Sequence, residues 1–184
     1  MAELLVEALS EEIPARMQQR AAEDLAQIFE AELKKVGLSY EIAEHFITPR
    51  RIVIRFDGLP LEQPTLKEER RGPRVDAPAA AIDGFIRSNK VSRDQLEERD
   101  TEKGRFYFVD RQIKGRPSQE VLPEVIDTSL KKLSWPKSMR WGQNSFRWVR
   151  PLHSILAVFE GDTLQGELNL GHNKLVFTNT TRGH

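Results

Sequence analysis

Residues 4–37 read LLVEALSEEIPARMQQRAAEDLAQIFEAELKKVG, and the change of pattern inside this stretch decides the fold class. Leu4-Leu5-Val6 is a short apolar run suited to a strand, with the acidic turn Ser10-Glu11-Glu12 behind it. Pro14 sits near the first turn of a helix, where its missing N–H breaks no intrahelical bond. From there apolar residues recur at Met17, Ala21, Leu25, Ile28, Phe29, Leu33 and Val36, the spacing of one helical face. Lys34 and Lys35 complement the C-terminal dipole and Gly37 supplies the stop. The stretch predicts a strand followed by a long amphipathic helix.

The same two periods recur downstream. Thr48-Pro49-Arg50-Arg51 opens the β-branched run Ile52-Val53-Ile54, whose apolar residues alternate with Arg51, Val53 and Arg55 as in a half-buried strand. Residues 57–80 are rich in proline, glycine and charge and read as a long connection, with a candidate internal boundary. Ala79 to Lys90 predicts a short helix with Ile82, Phe85 and Ile86 inward. Ser92 and Gln95 have capping-box spacing. Lys103-Gly104 leads into a strand from Arg105 to Ile113, and Pro117 begins a second long helix with Val121, Leu122, Val125, Ile126, Leu130 and Leu133 on one face. Leu152 to Phe159, the turn at Glu160-Gly161-Asp162 and the run Leu164–Leu170 predict a hairpin. Helices and strands alternate without a strict βαβ rhythm. The expected class is therefore α+β: a mixed or antiparallel sheet, two long amphipathic helices (about 15–36 and 117–133) and a C-terminal hairpin.

Composition narrows the function classes. The 184 residues balance 28 Lys and Arg against 28 Asp and Glu, and the mean hydropathy of -0.53 describes a wet surface. No apolar run approaches the ~20 residues that cross a bilayer, and no signal peptide is visible. There is no cysteine, which removes disulfides and thiolate chemistry and fits a reducing, cytoplasmic setting. Charge is nevertheless polarised. Residues 1–48 hold ten acidic and four basic residues, whereas Thr128 to Phe159 holds no acid, six bases and all three tryptophans, Trp135, Trp141 and Trp148. Such a stretch reads as core beneath a solvated basic face, as a nucleic-acid surface, or as a protein interface.

No catalytic constellation is visible. His45, His153, His172 and His184 form no metal-binding pair, phosphate-cradling loops are missing, and the serines lack a nucleophile elbow. We expect no catalytic residue and no metal. His153 reads as a half-buried histidine with a satisfied ring, and Glu11-Glu12 as a solvated turn. The remaining candidates are cationic: Arg50 and Arg51 at a strand entry, Arg70, Arg71 and Arg74 around a Gly72-Pro73 turn, and Lys137, Arg140, Arg147 and Arg150 around the tryptophans. Arginine forks suit phosphate and stack on bases. Against this, Glu68 and Glu69 are positioned to pair with Arg70 and Arg71 on the surface. Trp135, Trp141, Trp148 and His153 are structural or interface candidates.

Several blocks taken together carry a resemblance. Leu5-Val6-Glu7-Ala8-Leu9-Ser10-Glu11-Glu12-Ile13-Pro14 resembles the LVEIGTEELP opening of the β subunit of bacterial heterotetrameric glycyl-tRNA synthetase. Thr48-Pro49-Arg50-Arg51 is similar to that family's TPRRL, Arg71-Gly72-Pro73 to its KGP turn, and Gly84-Phe85 to its GF. Met139-Arg140-Trp141-Gly142 with Phe146-Arg147-Trp148-Val149-Arg150-Pro151-Leu152-His153 resembles its MRWG…F.RP.H block, and Thr181-Arg182-Gly183-His184 the start of TRGHRF. The departures are Ala8-Leu9-Ser10 in place of Ile-Gly-Thr, a shorter segment after Pro73, and a chain that stops inside the last motif.

The resemblance implies an N-terminal fragment, without the family's HD-like and anticodon-binding regions. It implies that ATP and Mg2+ are used by the separate α subunit, with no cofactor in this chain. It implies an α2β2 assembly whose β subunit binds tRNA(Gly), with no membrane. Two other readings remain beside it: a structural interaction module without RNA contact, and a free-standing editing domain, against which the lack of acid–base or metal groups argues.

Overall fold

The computed structural model describes residues 2–101 and 104–183, with the side chains of residues 66–68, 111 and 112 outside the description. Lys103 and His184, named above, lie outside the described residues. The chain forms two compact units, residues 1–64 with 116–184, and residues 65–115.

The first unit is built on β1 (Ala2–Ser10), paired antiparallel on one side with β3 (Arg51–Leu59) and on the other with β7 (Leu152–Phe159). β2 (Ile42–Thr48) adds to β3 across a two-residue Pro49-Arg50 turn. β10 (Lys174–Thr178) pairs parallel with β7 and antiparallel with β9 (Glu167–Asn169), giving the order β2-β3-β1-β7-β10-β9. The sheet is therefore mixed. Alternation sets its faces: Leu4, Val6 and Ala8 share one with Ile52, Ile54 and Phe56 and with Ile155, Ala157 and Phe159. These side chains are almost completely buried.

Two helices complete that core. α1 (Ala15–Lys35) buries Met17, Ala21, Leu25, Phe29 and Leu33, the face expected from spacing. It ends as a Schellman turn: Gly37 at φ +74° donates to the Lys34 carbonyl, and Leu38 donates to that of Leu33. α3 (Ser118–Lys132) buries Val121, Leu122, Val125, Ile126 and Leu130, with Pro117 as its N-cap rather than its first residue. At the C-terminal end of both helices, Glu32 of α1 takes Lys132 at 2.7 Å and Lys35 at 2.6 Å. These ammoniums, Lys132 foremost, hold the Glu32 carboxyl below the usual carboxylate range.

The second unit is a three-stranded antiparallel sheet, β4 (Leu66–Arg74), β6 (Gly104–Ile113) and β5 (Glu97–Thr101), with α2 (Ala79–Asn89) against β4. It corrects the reading of 57–80 as one long connection. β3 continues to Leu59 and residues 66–74 form a strand, because the alternation of β4 is written in charged residues that carry no hydrophobic period. β5 is likewise charged, and β2 spreads its apolar residues over both faces, Ala43 and Ile47 toward the core and Ile42 and Phe46 away from it, so neither shows a strand period. The capping box of Ser92 and Gln95 is present, on a single 3-10 turn.

The expected C-terminal hairpin is present, though Leu164–Leu170 is not its returning strand. The turn is Glu160-Gly161, both at positive φ, but the returning strand β8 (Asp162–Thr163) is only two residues long. Pairing with β7 ends at Thr163, and Gly166 then passes so close to Pro123 and Phe177 that a Cβ would lie 2.8 Å from the one and 2.7 Å from the ring of the other. β9 then turns back onto β10 instead.

Replacing Phe29 by alanine is expected to cost about 3–5 kcal/mol in urea unfolding, as a fully enclosed aromatic. The Glu32 pair sets an acid dependence. A depressed folded pKa contributes stability above the unfolded carboxylate value of 4.5, lost as pH falls through the folded one. Urea midpoints of Glu32→Gln should therefore lie below wild type at pH 6 and converge with it near pH 3.

Candidate nucleic-acid interface

The acid-free stretch leaves α3 at Leu133 and re-enters the sheet at Leu152 as an irregular excursion. It is closed on itself by one bridge, Met139 and Trp148 exchanging N–H···O bonds of 2.8 and 3.2 Å. Trp148 is 1% exposed and Trp135 9% exposed, their rings edge-on at 5.0 Å. Phe146 stacks on Trp148 at 5.9 Å, and half-buried Trp141 meets Phe146 edge-on at 6.1 Å. The tryptophans are thus core and anchor rather than exposed stacking platforms. Fully flat rings with ~150–250 Å² to bury are driven inward unless a partner is present.

Backbone bonds pin the excursion from its other side. Ser145 and Phe146 both donate to the Leu170 carbonyl at 2.9 Å, and buried Asn144 accepts from the Asn173 N–H at 2.9 Å. Gly171, at φ +111°, packs so closely on Ser145 that a Cβ would overlap it.

On this fixed frame the cations point outward. Lys137 and Arg140 are exposed and form no hydrogen bond or ion pair among the described residues. Arg147 donates to the Ser138 hydroxyl and carbonyl, both at 3.1 Å, and Arg150 to the Val149 carbonyl at 3.1 Å. None of the four is matched by a carboxylate among the described residues, so their charge is not neutralised locally.

Arg150 also belongs to a second convergence, at the end of the sheet where β1 stops and β3 and β7 begin. Ser10 donates to the Arg50 carbonyl, Glu11 to that of Pro151 and Ile13 to that of Pro49, at 2.8, 3.0 and 2.6 Å. Arg50 returns a long bond to the Ser10 carbonyl at 3.3 Å. Arg51 pairs with Glu7 at 3.4 Å and also meets the Arg182 carbonyl, while Thr181 meets the Glu7 carboxylate. Four separated sequence blocks, 10–14, 48–51, 150–153 and 181–182, therefore meet at one place. An open depression of ≈ 660 Å³ lies there, lined by Glu11, Glu12, Gln18, Pro49 and Arg150 among others.

His153 is corrected. It is exposed, not half-buried, and its Nε2 lies 2.6 Å from a Glu11 carboxylate oxygen. By alternation His153 would share the buried face of Ile155, but the β1–β7 register shifts at the start of β7, between Leu9 and Ser10, and the side chain emerges toward Glu11. Glu11 is correspondingly a partner of His153 rather than a purely solvated turn residue.

The middle cluster belongs to the second unit and is structural in character. Gly72-Pro73 is not a turn but an irregularity in the β4 register between Arg71 and Arg74. Gly72 lies against Phe85, where a Cβ would sit 2.7 Å from the ring, which joins the Arg71-Gly72-Pro73 and Gly84-Phe85 blocks physically. The Arg71 guanidinium sits 3.7 Å over the Phe106 ring, Arg74 pairs with Asp76 at 3.1 Å, and Arg70 reaches Asn89 at 3.5 Å. Glu69 pairs with Arg99; Arg70 next to it points to the opposite face, and Arg71, two residues on, lies over the Phe106 ring. The Glu68 side chain lies outside the described residues. Among the described residues no three His, Asp or Glu side chains gather as a metal set, and no helix is long and apolar enough to cross a membrane.

A family described as glycyl-tRNA synthetase beta subunit matches residues 4–184. The glycine–tRNA ligase beta subunit of Cereibacter sphaeroides is 48% identical over 184 residues, all of this chain and 26% of that protein. That of Paracoccus denitrificans is 47% identical over 184 residues, 27% of its length. That of Rhodospirillum centenum is 48% identical over 172 residues, 93% of this chain and 24% of its own. The chain spans about a quarter of the length of these curated relatives. It belongs to the glycyl-tRNA synthetase beta subunit family.

The two roles inside the excursion separate by mutation. Trp148→Ala is expected to lower unfolding stability by about 3–5 kcal/mol, while Arg140→Ala stays within about 0.5 kcal/mol of wild type. Thermal melts of the two variants check this.

Proposed function

We propose that this chain is the N-terminal, non-catalytic part of a glycine–tRNA ligase β subunit, supporting ATP-dependent glycylation of tRNA(Gly) by binding the tRNA. In this reading ATP and Mg2+ act on the α subunit of an α2β2 assembly, and this chain holds no cofactor. The supporting observation is the excursion 133–151: its aromatics are spent on the core while Lys137, Arg140, Arg147 and Arg150 stand without carboxylate partners. Phosphate contacts need charge held on a rigid frame, not stacking, to recognise an RNA duplex by shape. Arg50 and Arg150 extend the same chemistry to the sheet end. Arg51, Arg70, Arg71 and Arg74 are weaker candidates, since each is engaged within the protein.

A second reading is favoured by the other face of the sheet. Ile42, Phe46 and Val176 are exposed there, at 51, 53 and 62%, as a protein interface would require. In that case the chain serves assembly with the α subunit and touches no RNA.

Titration of tRNA(Gly) against the chain over a salt series decides between them. RNA binding predicts a steep salt dependence, with Arg140→Ala and Arg150→Ala each weakening affinity several-fold and lowering the log–log slope by about one. Retained co-purification with the α subunit, together with no salt-dependent tRNA binding, overturns the RNA reading in favour of the assembly one.

A further inference from the structure

Trp135 forms a wall shared by two surface cavities. One, of ≈ 270 Å³, is lined by Arg16, Arg20 and Asp24 of α1 together with Ser134 and Pro136. The other, of ≈ 380 Å³, is lined by Lys131, Lys132, Ser138, Phe146 and Arg147. The Trp135 side chain is more than nine-tenths buried, yet its Nε1–H has no acceptor among the described protein atoms. Buried donors in folded proteins are nearly always paired. The Trp148 Nε1–H is also without an acceptor among the described protein atoms, but of the two rings it is Trp135 that lines both cavities, where a ligand oxygen can approach.

The charge on the two flanks is unequal in availability. Lys131 and Lys132 are neutralised by Asp127 and Glu32, each at 2.7 Å. Arg16 has no partner among the described residues, and Arg20, with an 81% exposed side chain, holds Asp24 only loosely at 3.5 Å. Arg147 bonds only the hydroxyl and carbonyl of Ser138. Usable positive charge therefore stands on both sides of Trp135, with Arg16 and Arg20 one helical turn apart, about 6 Å along the axis. A single carboxylate satisfies one flank and leaves the other bare. A ligand whose anionic groups repeat along a strand satisfies both.

We infer that the groove flanking Trp135 is a binding site for the phosphodiester backbone of an RNA strand, held by Arg16 and Arg20 on one side and Arg147 on the other. The inference rests on the RNA-binding reading above and adds α1 to its surface, a helix whose acidic composition conceals the role. Trp135 acts in it as a hydrogen-bond donor, not as a stacking platform.

The test uses tRNA(Gly) and the chain as it stands, over about 50–300 mM salt. The double variant Arg16→Ala/Arg20→Ala should bind about five- to twentyfold more weakly and lose about 1.5 from the salt slope. Trp135→Phe, which keeps a ring and deletes the N–H, should weaken binding about two- to tenfold with unchanged near-UV circular dichroism. Asp24→Asn removes the competitor for Arg20 and should tighten binding, a gain that a structural role would not produce. Wild-type affinity and slope in the double variant, while Arg140→Ala still weakens binding, overturn this inference and leave the RNA reading standing. So does a folded Asp24→Asn variant that binds no tighter. Absence of salt-dependent tRNA binding in the wild type overturns both.

Discussion

β1 carries hydrogen bonds on both edges, and its two partners come from distant parts of the chain. β3 begins 41 residues after β1 ends, and β7 begins 142 residues after it. A central strand that lacked either neighbour would bury a row of unpaired N–H and C=O groups, at a cost comparable to a lost hydrogen bond for each. The strand therefore holds residues 10–14, 48–51 and 150–153 at one end of the sheet regardless of what lies between them. Both long helices lie on the buried face defined by Leu4, Val6 and Ala8, so the core and this end of the sheet share one constraint.

The excursion from 133 to 151 shows how a long irregular segment can still present charge in fixed positions. Its backbone makes few ladder bonds, and its rigidity comes instead from Trp148 sunk in the core, from the Met139–Trp148 bridge and from the Leu170 carbonyl. Side-chain burial at the centre leaves the rim free for cations. Aromatic content and basic content, which look like one feature in the sequence, are thus divided between the inside and the outside of the same loop.

How much was legible follows from what each element spends its apolar residues on. α1, α3, β1, β3 and β7 bury a continuous face, so their period survives in the sequence. β2, β4 and β5 are edge strands of their sheets; β4 and β5 are largely charged, β2 divides its apolar residues between two faces, and no hydrophobic period marks them. The candidate cations Lys137, Arg140, Arg147 and Arg150 were visible because no acid is near them in sequence. Arg16 and Arg20 were not, because their neighbours along α1 include Glu23 and Asp24, while their neighbours in space are Ser134 to Pro136.

The sequence by itself determined the class, the two long helices, the principal strands, the lack of cysteine chemistry and, through its blocks, the family. These depend on local period and residue identity, which are carried in short windows. Only the tertiary structure decided that the tryptophans are anchors, that Gly72-Pro73 lies in a strand against Phe85, that His153 meets Glu11, and that four blocks share one end of the sheet. Each of these is a contact between residues far apart in the chain. Whether a tryptophan faces a base or a leucine depends on what packing brings to it, and no window of sequence contains its neighbour.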